Sequence, residues 1–550
     1  MLSRVGDWLL EMASLPERRR FLHASSVRLA DYYHGFAIRN KDDPDALEDE
    51  FKDVIHAAEL LLKRRKWDQL IGMADALSAF MGERGFWNDA LWLYSATLDG
   101  VEKRLVRVFQ PPLPLDWKRK ISLLTKLGSI SMQQGYFQEA EQYLVESLKT
   151  AELIQNKNLQ AQISNILANL SRLQGQPDKS QEYVLQSKRF LPDVSTQLSN
   201  EYFQLISQGN FNEAKKGALA QLEMARQNDD RKAEAETLCN LGALAVREGS
   251  QPEALTAYQQ AIAICSENQY QDEEQSAWHG MAKALATFGR LAEGNQILDQ
   301  VMDFYTRKGS QSAILDVLID HGGIYVELKE FGRAEECFQR AMEIAIHLES
   351  VSQLAICFFQ LGSLCSKRGD LDGAIRNYEQ FLQAAEESQH KQMIEIACES
   401  LGMALLEKGS YEEARIPLNR RLEISRSLHW ESEEAFTLYL LGVLETKLAS
   451  YAKAESLFQQ SIALYENLGN IVGAGRGLYS LSDIYFDQDQ FTLSWGCLAQ
   501  LASLVHSSNR DELLSLTMLE LDRFMEVPQY REQAITLRNS LAVLELDGRQ

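Results

Sequence analysis

The stretch Leu241–Ile264, LGALAVREGSQPEALTAYQQAIAI, decides the fold, because its pattern returns three more times downstream. It is written again as LGSLCSKRGDLDGAIRNYEQFLQA at 361–384, LGMALLEKGSYEEARIPLNRRLEI at 401–424 and LGVLETKLASYAKAESLFQQSIAL at 441–464. With the second residue of each stretch as an anchor, equivalent positions fall at 202, 242, 282, 322, 362, 402, 442 and 482, a period of 40 without a slip. Fainter copies stand upstream at Ala168, Gly128 and Ser78, and a degenerate one at Leu521. Self-similarity at such a period is the signature of a stacked repeat architecture.

The columns of the repeat have physical meanings. Seven residues past the anchor comes glycine, as Gly85, Gly135, Gly175, Gly209, Gly249, Gly289, Gly369 and Gly409, suited to the left-handed backbone that closes a helix. Two residues on, the column is often aromatic, as in Trp87, Phe137, Phe331 and Tyr451. Twelve past the anchor it is small from the first repeat to the eleventh: Ala90, Ala140, Ser180, Ala214, Ala254, Gly294, Ala334, Ala374, Ala414, Ala454 and Ser494. A small side chain belongs where two helices of a hairpin cross closely. Four further on the column is large, as in Tyr258, Phe338 and Phe458, on the same helical face.

These columns closely resemble the tetratricopeptide repeat, W-x2-L-G-x2-Y followed by glycine, an aromatic, alanine and an aromatic at those offsets. The resemblance covers roughly residues 70 to 510. It implies an all-α, right-handed superhelical solenoid of stacked antiparallel helix pairs, about 11 to 12 repeats, with first helices lining the concave wall. The pattern departs from the family in three ways: the period is 40 rather than 34, the proline ending the second helix is missing, and Lys329, Ala449 and Asp489 replace the turn glycine. The longer period implies longer helices.

Composition agrees. Only 10 prolines occur in 550 residues, with 45% hydrophobic and 24% charged residues, as in an ordered chain. A net charge of -22 argues against a direct nucleic-acid footprint, which needs a concentrated basic face. The basic clusters at Arg18–Arg20, Lys63–Lys66 and Lys118–Lys120 read as solvated helix faces beside acidic runs. Seven cysteines form no C-x-x-C pair and read as buried thiols of a reducing, cytoplasmic compartment. Arg4, Asp7 and Glu11 interrupt what a secretory signal would need, and no apolar run reaches the roughly 18 residues of a membrane span.

The expected organisation is an amino-terminal helical bundle over 1–69, a first degenerate repeat over 70–105, a proline-rich bend over 106–118, the repeat array over 119–510 and capping helices over 511–550. Helices are expected near 5–13, 17–38 and 45–63. FQPPLP at 109–114 cannot be helical throughout, since proline removes donors and restricts its predecessor. Pro528 suits the last hairpin turn, and Pro417, inside a second helix, predicts a local kink. The amino-terminal wording around His23, Tyr32, Tyr33 and Gly85–Trp87 is similar to the helical segment opening the sensor half of AfsR-type signal-transduction ATPases, although the phosphate loop G-x-x-x-x-G-K-[ST] of their motor occurs nowhere.

Motifs for catalysis are missing too. Nine histidines show no H-E-x-x-H or His/Cys metal spacing, and no G-x-S-x-G elbow or kinase signature is present. The expectation is a non-catalytic chain with no cofactor and no metal.

Binding surfaces follow from the resemblance. In related repeats ligands meet first-helix side chains three and two before the anchor, and one and four after it. In the third repeat these sites hold Asn165, Asn169 and Arg172; Asn200 and Asn240 continue the line, with His279 and Lys283 in the sixth repeat. An asparagine row offers donors and acceptors to an extended peptide backbone, and Arg or Lys can hold a carboxylate. The alternative is that these side chains are merely solvated. Further along, Phe359, Phe436, Tyr439, Tyr479 and Phe486 form an aromatic stripe, either a partner site or packing between successive first helices. The expected function is a protein-interaction scaffold or adaptor with a peptide or protein partner. A ligand-responsive sensor resembling bacterial peptide receptors is the alternative, and an accessory subunit of an enzyme complex the third reading.

Overall fold

A computed structural model describes residues 16–105, 114–190, 211–508 and 511–547. Every regular element among the described residues is a helix, 26 in all, and none is long and apolar enough to cross a membrane. They pair into antiparallel hairpins, and the hairpins stack, as the 40-residue register demands.

Each hairpin crosses at the anchor. The small column is buried to the last atom, with Ala140, Ala214, Ala254, Ala334, Ala414 and Ala454 at 0% exposure. Where serine replaces alanine it donates to the anchor's carbonyl across the crossing: Ser180 Oγ to Ala168 O at 2.8 Å, Ser494 Oγ to Ser482 O at 2.9 Å. The large column lies over the anchor itself. Phe338 covers Gly322, Phe458 covers Gly442 and Leu418 covers Gly402, leaving no room for a Cβ at any of the three glycines.

The turn geometry survives loss of its glycine. Lys329, Ala449 and Asp489 adopt φ of 60°, 55° and 57°, in the same left-handed region as Gly249 and Gly369. A second left-handed column, 27 residues past the anchor, closes the other helix of each hairpin: Gln155, Asp229, Gln269, Gly309, Glu349, Gln389, His429 and Gly469. There the six-residue closing bond of a Schellman motif, such as Tyr270 N–H to Cys265 O at 2.9 Å, offsets the steric cost borne by non-glycine residues.

The chain forms two compact units. One comprises residues 1–364 with 387–390, the other 365–386 with 391–550. Unit 1 opens with the helices Pro16–Arg39, Pro44–Asp49 and Phe51–Lys63. Leu47, Val54, Ala58 and Leu61 of these share one core with Leu70, Met73, Leu77 and Phe80 of Trp67–Arg84, the first helix of the first hairpin. The expected helix near 5–13 lies outside the described residues, as do 106–113; Pro114 takes the first position of the helix Pro114–Gln134, where its missing N–H costs nothing.

Unit 1 also closes on itself. Edges of its first hairpins meet edges of its last ones along a seam, in register, hairpin by hairpin. Arg84 and Gly85 sit against Gly309 and Leu348, and Lys308 Nζ lies 3.4 Å from Glu83. Trp87 is buried in a cluster with Val301, Tyr305, Ile314 and Leu348. One hairpin on, Gly135 sits against Ser352 and Ser388, Ser350 Oγ donates to Gln133 O at 3.1 Å, and the His390 ring lies 5.5 Å from Phe137. No side chain fits at Gly85 or Gly135, where positive φ and the close approach both call for glycine.

Unit 2 is held by a buried ionic knot. Arg421, 2% exposed, reaches Glu395 at 2.6 Å and Glu399 at 2.5 Å on the first helix of its own hairpin, and Thr437 Oγ1 at 2.5 Å on the next. Burial pushes the Glu395 carboxyl up to about 7; Arg421 opposes this, but Glu399 and Glu433 add to it. The helix Tyr411–Ser427 runs through the buried Pro417 without a break. At the end, the helices Asp511–Phe524 and Arg531–Asp547, with Pro528 between them, seat Leu521, Phe524, Ala534 and Leu541 on the unit's core.

Candidate partner-binding groove

Unit 1 carries a groove of about 1050 Å³. Its walls are the helices Trp67–Arg84, Pro114–Gln134 and Lys157–Leu173, the first helices of three successive hairpins, with Ala90 and Tyr94 of the second helix Trp87–Leu105. Heptad-like apolar positions on these helices, such as Leu77, Leu124 and Leu167, turn into the hairpin cores and are fully buried. Their polar positions are thereby left on the groove face.

What lines the groove is a set of neutral donors and acceptors with two cations. Ser78, Ser122, Thr125 and Ser129 supply hydroxyls; Asn158, Gln162, Asn165 and Asn169 supply amides; Lys118 and Lys126 supply positive charge. Ile130, Met132, Leu159 and Ile166 give it an apolar floor. No aspartate or glutamate is among the lining residues, in a chain with 78 of them. Some of this capacity is spent internally. Thr125 donates to Ile121 O at 2.9 Å, Asn156 caps its helix through Leu159 N–H at 3.2 Å, and Lys126 stands 5.3 Å over Tyr94 with Asp75 at 3.5 Å.

Of the sequence-chosen polar residues, Asn165 and Asn169 line this groove together. Arg172 does not line it; its guanidinium donates to Asn169 Oδ1 at 2.8 Å, and burial holds its pKa below the ordinary value. Asn200 lies outside the described residues, and Asn240 is half-buried on the helix Arg231–Arg247, away from the groove lining. His279 and Lys283 converge on one carboxylate, Asp320, at 2.6 and 3.1 Å. Burial works against that carboxylate's charge, but the His279 bond and the Lys283 charge prevail and hold its pKa low. Lys283 and Asp320 also border a smaller cavity of about 480 Å³.

The aromatic residues have neighbours of their own. Phe359 is half-buried on Val351–Lys367 in unit 1. In unit 2, Phe436 and Tyr439 stack at 6.4 Å, with Arg421 5.4 Å over Phe436 and Phe458 5.7 Å from Tyr439. Tyr479 packs on the same core. Phe486 is enclosed by Phe491, Phe524 and the Arg523 guanidinium, 4.1 Å from its centroid.

Thr125, Lys126, Ser129 and Met132 line the groove as well, and the repeat register carries a signal for them. They stand three and two before Gly128 and one and four after it, the same offsets that select Asn165 and Asn169 from Ala168. The basic run Lys118–Lys120 is also divided by the structure. Lys120 bridges Glu102 at 2.8 Å and Glu146 at 2.7 Å, while Lys118 faces the groove.

Models of the tetratricopeptide repeat match residues 121–152, 203–267 and 314–387. A search of curated protein sequences returned no match. Among solved structures, the apo quorum sensor NprR from B. thuringiensis is 14% identical, with a TM-score of 0.42, covering 64% of this chain and 99% of that one. A human IFIT1 dimer is 16% identical at a TM-score of 0.42, covering 77% and 90%. A signal transduction ATPase with numerous domains and a tetratricopeptide repeat sensor, from Pyrococcus horikoshii, is 16% identical at 0.37, covering 62% and 55%.

Proposed function

We propose that this chain, whose register and matched segments are those of the tetratricopeptide repeat, is a non-catalytic adaptor of the cytosol, holding an extended segment of a partner protein in the unit 1 groove. The observation that carries this reading is the groove's lining of amides, hydroxyls and two lysines without a carboxylate. Asn165, Asn169 and Gln162 each combine a donor with an acceptor, the pairing an extended main chain requires on its exposed edge. Lys118 and Lys126 favour acidic side chains on that segment. The chain's overall charge of -22 does not oppose this, because salt screens distant charges beyond about 8 Å at physiological strength.

The test is binding of a fluorescein-labelled acidic decapeptide, (Glu-Ala)5, by anisotropy, together with co-purification of partners from a lysate by full-length chain. Asn165→Ala with Asn169→Ala weakens capture at least tenfold if the groove is the site; unchanged capture removes the groove from consideration. A peptide of (Lys-Ala)5 binding as well as the acidic one removes the charge preference.

A further inference from the structure

The helices that line the groove also carry the seam of unit 1. In two successive hairpins a groove residue and a seam residue lie within one turn of each other, and in the third a groove residue is bonded to a residue whose charge reaches the seam. Gly82 precedes Arg84, which packs against Gly309; Met132 precedes Gln133, whose carbonyl accepts from Ser350; Asn169 is bonded to Arg172, whose charge acts on His390. A hairpin that tilts to admit a ligand therefore moves its seam edge as well, because a packed helix pair shifts as a body.

The seam is built unlike the hairpin cores. It is made of turns and helix ends, joined by a hydroxyl-to-carbonyl bond, an ion pair reachable by water, and the inserted Leu348 and Trp87. It also buries polar atoms that find no partner among the described residues: Arg84 Nε, Trp87 Nε1 and Ser352 Oγ. Unpartnered buried donors are uncommon in native proteins and call for a reason. Each of these three can bind water on opening.

We propose that this seam is a clasp: unit 1 opens and closes along it, and its closure is coupled to occupancy of the groove. The proposal rests on the groove being a binding site, and it adds the regulation of that site. Closure holds the first two hairpins at one spacing, so the clasp sets groove width and the affinity for an extended segment. By reciprocity, a segment in the groove changes the stability of the clasp by the same factor.

The experiment uses the full chain and two clasp variants, Leu348→Asp and the milder surface reversal Glu83→Lys, which faces Lys308 with a like charge and leaves the core untouched. Without ligand, hydrogen exchange read by mass spectrometry is expected to rise at least fivefold at 84–87 and 133–137 in Leu348→Asp and at 133–137 and 348–352 in Glu83→Lys, segments far in sequence from the substituted residue. With the (Glu-Ala)5 probe, affinity is expected to shift about tenfold in the same variants, and the probe to alter exchange at 348–352 in the parent chain. Unaltered exchange across the seam in both variants overturns the clasp. Raised exchange with unaltered probe affinity overturns the coupling. Should the probe fail to bind the parent chain, the acidic-segment reading falls, and the coupling is judged on Lys157–Leu173: no change of protection in that groove helix in either clasp variant overturns it. A Leu348→Asp chain that does not fold leaves Glu83→Lys to decide.

Discussion

Ser350 donates its hydroxyl to the main-chain oxygen of Gln133 at 3.1 Å, joining two hairpin edges 217 residues apart. Such a bond spans most of unit 1 and has no counterpart in the nearest-neighbour logic of a repeat stack. Ser350→Ala removes it at about 1 kcal/mol. That loss is expected to appear as roughly fivefold faster amide exchange at 348–352 and 133–137, with the melting of unit 2 unmoved.

His390 makes the same seam sensitive to acid. Burial first, and the Arg172 charge second, push its pKa down to about 4 from the usual 6.5. Between these values the unfolded imidazole binds a proton that the folded one refuses. The unfolded state therefore holds more protons, and stability, fully present above pH 6.5, falls as pH drops toward 4 by up to about 3 kcal/mol. His390→Gln is expected to flatten that part of the stability profile of unit 1 in urea titrations at pH 7, 6, 5 and 4. A slope identical to the parent's counts against a buried neutral imidazole.

Arg421 and Glu395 predict opposite outcomes from one ion pair. Arg421→Met leaves the buried Glu395 and the half-buried Glu399 without their cation, and a loss of about 3–5 kcal/mol is expected. Glu395, with its carboxyl raised to about 7, binds a proton in the fold that the unfolded chain has already released above pH 4.5. Its contribution is present below that pH and lost as pH rises through 7. Glu395→Gln is thus expected to raise unit 2 stability at pH 8 relative to pH 5, measured by thermal denaturation at both.

Gly442 and Phe458 test the hairpin crossing. The ring leaves no room for a Cβ at the anchor, so Gly442→Ala overpacks the crossing by about 1–3 kcal/mol. Phe458→Leu alone also destabilises, by leaving a cavity. Combined, the two are expected to cost less than their sum, since the smaller side chain frees the space the methyl needs. Additive losses in denaturant titration would show the contact to be incidental.

Ala449 occupies the left-handed turn position that glycine holds in most repeats, at φ 55°. Ala449→Gly relieves the steric cost of about 1–2 kcal/mol and gives back about 0.4–1 kcal/mol through the looser unfolded chain. A net gain of about 0.5 kcal/mol is expected in chemical unfolding of unit 2.

The array was legible because each hairpin is a local object. The small residue twelve past the anchor and the large one sixteen past it must meet the anchor of the same hairpin, so their spacing is fixed and repeats in the sequence. Two residues of the groove lining were legible for the same reason: Asn165 and Asn169 sit at fixed offsets from Ala168. Thr125, Lys126 and Ser129 obey those offsets too, but as residues ordinary on any helix surface they carry no mark in the sequence.

The linear chain determined, by itself, the helices, their pairing and their order of stacking, since these depend on contacts within about 40 residues. It did not determine which polar side chains face the groove and which are spent on neighbours. Arg172 turns to Asn169, His279 and Lys283 share Asp320, and Phe486 is enclosed by Arg523, because partners brought in from other turns compete for each group. Nor did it determine the seam. The meeting of Gln133 with Ser350 depends on small rotations between successive hairpins summed around unit 1, and only the folded structure carries that sum.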